Sequence, residues 1–210
     1  MKEFLSQYFQ AFYRPRKAFE ALHNNTRPEA SALGFISIPI VAYTLMYVFL
    51  TIADGAPSVF TPWLNISRDE YYSINRFLLA PSMLLCWVAA TAFIQIAARL
   101  MGGQGTFEHT LVCISLGISL SMWGALLHDL PMSFLSALGI INARQHEIDM
   151  NSPTIFRTLL WIFYSLYFFA FVVLFPLAVR VVHKLNWIRS VTIGVFAFAL
   201  FQAILLVFNR

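Results

Sequence analysis

Five stretches of the chain, residues 33–53, 77–98, 110–127, 158–179 and 191–208, contain no Asp, Glu, Lys, Arg or His. At 1.5 Å per residue each is long enough, as a helix, to cross a hydrocarbon layer about 30 Å thick. A backbone in lipid must satisfy its own hydrogen bonds, so these runs are read as transmembrane helices rather than strands. Ahead of the first run the pattern changes. Phe4, Leu5, Tyr8, Phe9 and Phe12 recur at helical spacing opposite Lys2, Glu3, Ser6, Gln7 and Gln10, and after Pro15 the apolar side continues through Ala18, Phe19 and Leu22. That is the periodicity of an amphipathic helix lying in an interface. The fold class expected is therefore all-α: an amphipathic interfacial segment over residues 1–30, then a polytopic bundle of five transmembrane helices over residues 31–210. The apolar stretch 130–141 is too short to cross alone. It extends the third helix past Pro131, lies along the interface, or dips back into the membrane.

Composition excludes the soluble alternatives. The chain is 59% hydrophobic, 16% aromatic and only 11% charged, with a mean hydropathy of +0.69, whereas a soluble domain carries roughly 25% charged residues. Charge then sets orientation. With the N-terminus in the cytoplasm, nine of the 14 Lys and Arg face inward: Lys2, Arg14, Arg16, Lys17, Arg27, Arg99, Arg180, Lys184 and Arg189. Asp54, Asp69, Glu70, Asp129, Glu147 and Asp149 fall outside. The positive-inside rule gives a cytoplasmic N-terminus and an extracytoplasmic C-terminus. The net charge of +4 is thus an orientation and headgroup signal, with no basic soluble domain to hold nucleic acid. Phe4, Phe9 and Phe12 beside Arg14, Arg16 and Lys17 are expected to hold the N-terminal helix against the inner leaflet. The first apolar run begins only at Leu33, so no cleavable signal peptide is expected. Cys86 and Cys113 lie within spans at different depths and read as small apolar fillers.

Between the second and third runs, Gly102, Gly103 and Gly105 permit a tight turn, and Thr106 is placed to cap the next helix. The Lys-Ser/Thr of a phosphate-binding loop is missing. Gly102-Gly103-Gln104-Gly105-Thr106-Phe107, with Thr110-Leu111 opening the third span and Tyr13-Arg14-Pro15-Arg16-Lys17-Ala18-Phe19 before the first, resembles the Yip1-domain family in its short bacterial members. The resemblance implies five spanning helices, a cytoplasmic N-terminus and residence in the bacterial inner membrane. The motifs of the eukaryotic branch are missing, so the small-GTPase and vesicle-traffic roles of that branch are not carried over.

The third span carries Ser115, Gly117, Ser119, Ser121 and Gly124. Gly117, Ser121 and Gly124 share a face of small residues that lets helix backbones approach, which places this helix centrally. Gln95 and Gln202 are expected to bond between helices. Pro39, Pro81 and Pro176 fall within spans, but no ionisable group does, which disfavours a proton relay or voltage sensor. The one constellation resembling chemistry is His128, Asp129, His146, Glu147 and Asp149, all beyond the third span. Loop polarity accounts for them as they stand; convergence of both His with a carboxylate would make a site for zinc or a similar ion. No nucleophile stands beside a base and no cofactor motif is present, so the chain reads as non-catalytic and cofactor-free. The expected role is organising lipid or binding membrane partners, another membrane protein or a second copy among them. The alternative is a small-solute or ion channel or transporter, which a polar cavity reaching the bilayer midplane would favour.

Overall fold

The computed structural model describes residues 2–23, 27–57 and 63–209. Part of the N-terminal segment (Met1 and residues 24–26) and Arg210 lie outside the described residues. Among the described residues eight helices follow one another: α1 (Lys2–Tyr13), α2 (Pro15–His23), α3 (Pro28–Ile52), α4 (Tyr71–Leu100), α5 (Phe107–Ala137), α6 (Ala143–Asn151), α7 (Ile155–His183) and α8 (Trp187–Phe208). Among the described residues there is no strand. α3, α4, α5, α7 and α8 are long and apolar enough to cross a membrane.

The helices overrun the charge-free runs because capping, not the last apolar residue, fixes their ends. Pro28 opens α3 at a position where a missing donor costs nothing. Thr106, Asn142, Thr154 and Asn186 each accept the backbone N–H three residues on, starting α5, α6, α7 and α8. The open question over residues 130–141 resolves as helix extension: α5 runs through Pro131 to Ala137, and a turn with Gly139 at φ +71° leads into α6.

Around the bundle α3 packs on α4, α4 on α8, α8 on α7, α7 on α5 and α5 back on α3, closing a ring. α5 is by far the most buried of the five. Gly117 lies against Leu174 and Phe175, and a Cβ on Gly124 would stand 2.5 Å from the backbone nitrogen of Tyr167. Ser121 turns its hydroxyl to Gly117 O within its own helix (2.8 Å). Gly194 of α8 meets Pro176 of α7 with no room for a side chain.

One end of the bundle, the near end, carries α2 and the turns 101–106 and 184–186; the far end carries α6 and the close of α8. α1 and α2 lean on α5, and α2 also on α7. Their inward face is not the one expected. Phe4, half-buried, stacks on Phe35 (4.6 Å between centroids) over the space Gly34 leaves open, so part of this ring packs on the bundle. The Tyr8 hydroxyl is hydrogen-bonded to Ser119 Oγ (2.9 Å) and accepts from Trp123 Nε1 (2.7 Å). Phe9, Phe12, Arg14, Arg16 and Lys17 remain exposed, with Arg16 paired to Glu20 at 2.8 Å.

Candidate functional site: a cavity at the far end

Because α5 continues past Pro131 and the chain then doubles back, α6 lies across the far end like a roof. Beneath it is a cavity of about 500 Å³. α3 supplies Tyr43, Met46 and Tyr47 to its wall, α5 His128, Asp129 and Met132, α6 His146, Glu147 and Met150, and α7 Trp161 and Tyr164. A second space of about 270 Å³ shares Tyr43, Tyr47 and Tyr164 and descends between α4, α5, α7 and α8, past Met83, Met122 and Leu205 to Gln202. Both spaces are mainly apolar; His128, Asp129, His146 and Glu147 border the upper one alone, whereas the polar groups of the lower one are neutral, Tyr167, Gln202 and Asn209 beside the shared tyrosines.

The structure brings His128 and His146 together. Their rings lie 5.6 Å apart at an interplanar angle of 24°, and both residues are more than nine-tenths buried. His128 Nδ1 donates to Asp129 Oδ1 at 2.8 Å. The Nε2 atoms of both rings are buried without a hydrogen-bond partner. Burial, and secondarily the neighbouring His128, hold the His146 pKa below the usual imidazole value, against a smaller upward pull from Glu147, Asp149 and Asp129.

Of the carboxylates only Asp129 meets a histidine, through the Nδ1 side of His128. Glu147 Oε1 accepts from the Tyr72 hydroxyl at 2.8 Å, Asp149 Oδ1 from Gln145 Nε2 at 2.9 Å, and Asp129 Oδ2 from the Tyr164 hydroxyl at 3.3 Å. Among the described residues no three His, Cys, Asp or Glu side chains gather around a common point. The zinc-type set of two histidines and a carboxylate is therefore not assembled: Glu147 and Asp149 are turned toward neutral donors of their own, and Asp129 meets His128 at Nδ1 rather than at the unpartnered Nε2. α6 is tied down from outside by Arg144, which reaches Asp54 Oδ2 (3.3 Å) and Asp69 Oδ1 (3.0 Å).

Below the cavities the near half is cross-linked by hydrogen bonds between helices. Gln95 Nε2 donates to Gly105 O (3.1 Å), Thr110 Oγ1 donates to Gln95 Oε1 (3.0 Å), and Thr110 Oγ1 also meets His183 Nε2 at 3.0 Å. Trp87 Nε1 donates to Leu111 O (3.1 Å). The glycine turn belongs to this cross-linked region. Gly102 adopts φ +86°, Gly103 N donates to Ala98 O (2.7 Å), and a Cβ on Gly105 would collide with Val182. Thr106 caps α5 through His109 N. Gln202 accepts from the Tyr167 hydroxyl at 2.6 Å, bonding α7 to α8.

The sequence did not single out Tyr43, Tyr47, Tyr72 or Tyr164, nor Met46, Met132 and Met150. Tyr43 and Tyr47, four apart on one helix face, were a legible pair; the methionines, on three separate helices, carried no local signal.

The sequence model of one protein family, described as the Yip1 domain, matches residues 9–208, nearly the whole chain. No curated protein matches, and no solved structure does.

Proposed function

Because the chain belongs to the Yip1-domain family, and its five long apolar helices embed it in a membrane, we propose that it is a non-catalytic membrane protein that holds a lipid-like amphipath in the far-end cavity. The observation that carries this reading is the shape of the paired spaces. A head compartment with two imidazoles, two carboxylates and four tyrosines opens into a compartment without charged groups, lined by Leu79, Met83, Met122, Ala125, Phe168 and Leu205 and reaching Gln202. A ligand pocket is commonly apolar with a few convergent polar groups that fix orientation. The hydrogen-bonded cross-linking through Gln95, Thr110 and Trp87 supports holding rather than conduction.

We further propose that the protein lies in the bacterial cytoplasmic membrane with α1 and α2 on the cytoplasmic side, where exposed Phe9, Phe12, Arg14, Arg16 and Lys17 face the inner leaflet. The far-end cavity is then extracytoplasmic. A reporter fused after Arg210 is expected to be active outside the cytoplasm, and a cytoplasmic reporter overturns the orientation.

The binding reading is tested by native mass spectrometry of the protein released from its own membrane in mild detergent. The wild type is expected to carry a lipid adduct. Ala125→Phe, in the buried wall of the lower space, and Leu206→Trp, at its lipid-exposed edge, are each expected to lose it while remaining folded. A wild type that flies bare, or equal adducts in all three proteins, defeats the reading.

A further inference from the structure

We propose that His128 and His146 form a binding site for a soft monovalent metal ion, Cu(I) or its analogue Ag(I), with thioether sulfur from the cavity wall completing the coordination. The starting point is an unmet demand. His128 and His146 are 3% and 7% exposed, and each leaves Nε2 buried without a hydrogen-bond partner. A buried polar atom left unpaired costs on the order of 1–3 kcal/mol. The two atoms belong to neighbouring rings, 5.6 Å apart between centroids, and with both Nε2 deprotonated one occupant that accepts electron pairs would satisfy the pair.

The tautomer of His128 fits that occupant. A carboxylate only accepts, so the 2.8 Å contact to Asp129 Oδ1 places the ring proton on Nδ1. Nε2 then carries the free lone pair. A carboxylate that fixes a histidine in this way is the usual outer support of a metal-bound imidazole, orienting the ring and raising its basicity. It also brings a negative charge beside the ion without occupying a coordination position.

The chemical class follows from what else lines the space. Met46 of α3, Met132 of α5 and Met150 of α6 all border the same cavity, three of the chain's seven methionines drawn from three helices. Thioethers and imidazoles are neutral donors, and soft sulfur ligands select Cu(I). Zinc sites use four donors drawn from Cys, His and carboxylates, and calcium or magnesium sites need several oxygens. Neither set exists here, since Glu147 is engaged by Tyr72 and no three-member His, Cys, Asp or Glu group occurs among the described residues. A single positive charge is also less costly to bury than two.

The site shares His128 and His146 with the head compartment proposed for the amphipath, but the two readings are tested apart: the lipid-blocking substitutions Ala125→Phe and Leu206→Trp sit in the lower space, and the metal is read by its own uptake, so failure of one is distinguishable from failure of the other.

The test uses the full chain, purified in detergent without a histidine tag and titrated anaerobically with Cu(I) against a chromophoric Cu(I) chelator. The wild type is expected to take up one equivalent per chain in preference to Zn(II). Asp129→Asn is expected to weaken binding by roughly 10- to 100-fold, the contribution of an outer hydrogen-bonded partner, and His128→Ala or His146→Ala by more. X-ray absorption of the loaded wild type is expected to show nitrogen and sulfur scatterers, and the conservative pair Met132→Leu with Met150→Leu to diminish the sulfur signal. No uptake by the wild type, which would leave the two Nε2 atoms to ordered water only, overturns the proposal. So does a spectrum without sulfur, undiminished affinity when both histidines are replaced, or tighter binding of Zn(II) than of Cu(I).

Discussion

Replacing Tyr8 by Phe removes a single oxygen at the place where the N-terminal helices meet the core. That oxygen is bonded to Ser119 Oγ at 2.9 Å and accepts from Trp123 Nε1 at 2.7 Å. Ser119 is fully buried, so its hydroxyl has no water to turn to. The loss of one net hydrogen bond and the partial desolvation penalty of the groups left behind come to about 2 kcal/mol, or roughly a 30-fold shift of α1 from docked to undocked. The Phe4–Phe35 stack remains, so α1 stays mainly docked. The environment supplies a second expectation. If undocked α1 rests in the lipid interface, its ring moves from one apolar surrounding to another, and apolar packing gives no hydrophobic drive in lipid. Tyr8→Ala should then cost only modestly more than Tyr8→Phe. Undocking into water would instead add the burial of an aromatic ring, several kcal/mol at about 25 cal/mol per Å². The assay is maleimide labelling of Ala11→Cys, a buried position on the docked face, in proteoliposomes of a variant with Cys86 and Cys113 replaced by Ala. Tyr8→Phe is expected to raise the labelling rate about 30-fold, with Tyr8→Ala within a few-fold of it. A rate unchanged by Tyr8→Phe refutes the tether; a Tyr8→Ala rate a thousandfold higher than that of Tyr8→Phe refutes the lipid-facing end state.

Two further outcomes follow from the packing and the protonation of the far half. Gly124→Ala forces a Cβ to within 2.5 Å of the Tyr167 backbone and is expected to lower stability by about 1–3 kcal/mol, read as a fall in thermal unfolding midpoint in detergent; an unchanged midpoint means α5 and α7 have more slack than the structure shows. His146 has a folded pKa below its unfolded value, so the unfolded chain binds the extra proton first. Its stability contribution is complete above the unfolded pKa near 6.5 and is lost as pH falls from there through the lower folded pKa. Midpoints measured from pH 7.5 down to 5 should therefore decline, and His146→Gln should flatten the decline. Equal slopes for the two proteins would assign it to other groups.

How much of this was readable beforehand depends on the range of the interaction concerned. The five spans are legible because the absence of charge is a local property, and residues 33–53 or 191–208 announce it without help. Helix ends are less so: α4 begins at Tyr71 and includes Arg76, since a polar residue at an interface is compatible with either helix or loop. The inward turn of Phe4 and Tyr8 was hidden because aromatic residues on an amphipathic helix fit both a membrane surface and a groove between helices. The meeting of His128 and His146 required α5 to continue through Pro131 and the chain to reverse around Gly139. Both were local ambiguities whose joint outcome sets a contact across 18 positions. The isolation of Glu147 from that pair depends on Tyr72, 75 residues away, and no local pattern encodes it.

The glycine turn 101–106 also sets the mechanics of the molecule. Gln104 N donates to His183 O (3.2 Å), and Arg189 Nη1 donates to Met101 O (3.0 Å); with Thr110 on His183, these bonds fasten the ends of α4, α5, α7 and α8 to one another. Such a clamp acts as a fulcrum. α7 has 29 residues and so extends about 43 Å from it, which means that a tilt of about 5° moves its opposite tip by roughly 4 Å. Small angular play is thereby magnified into a shift of about 2–3 Å where Trp161 and Tyr164 border the upper space, while the clamped ends scarcely move.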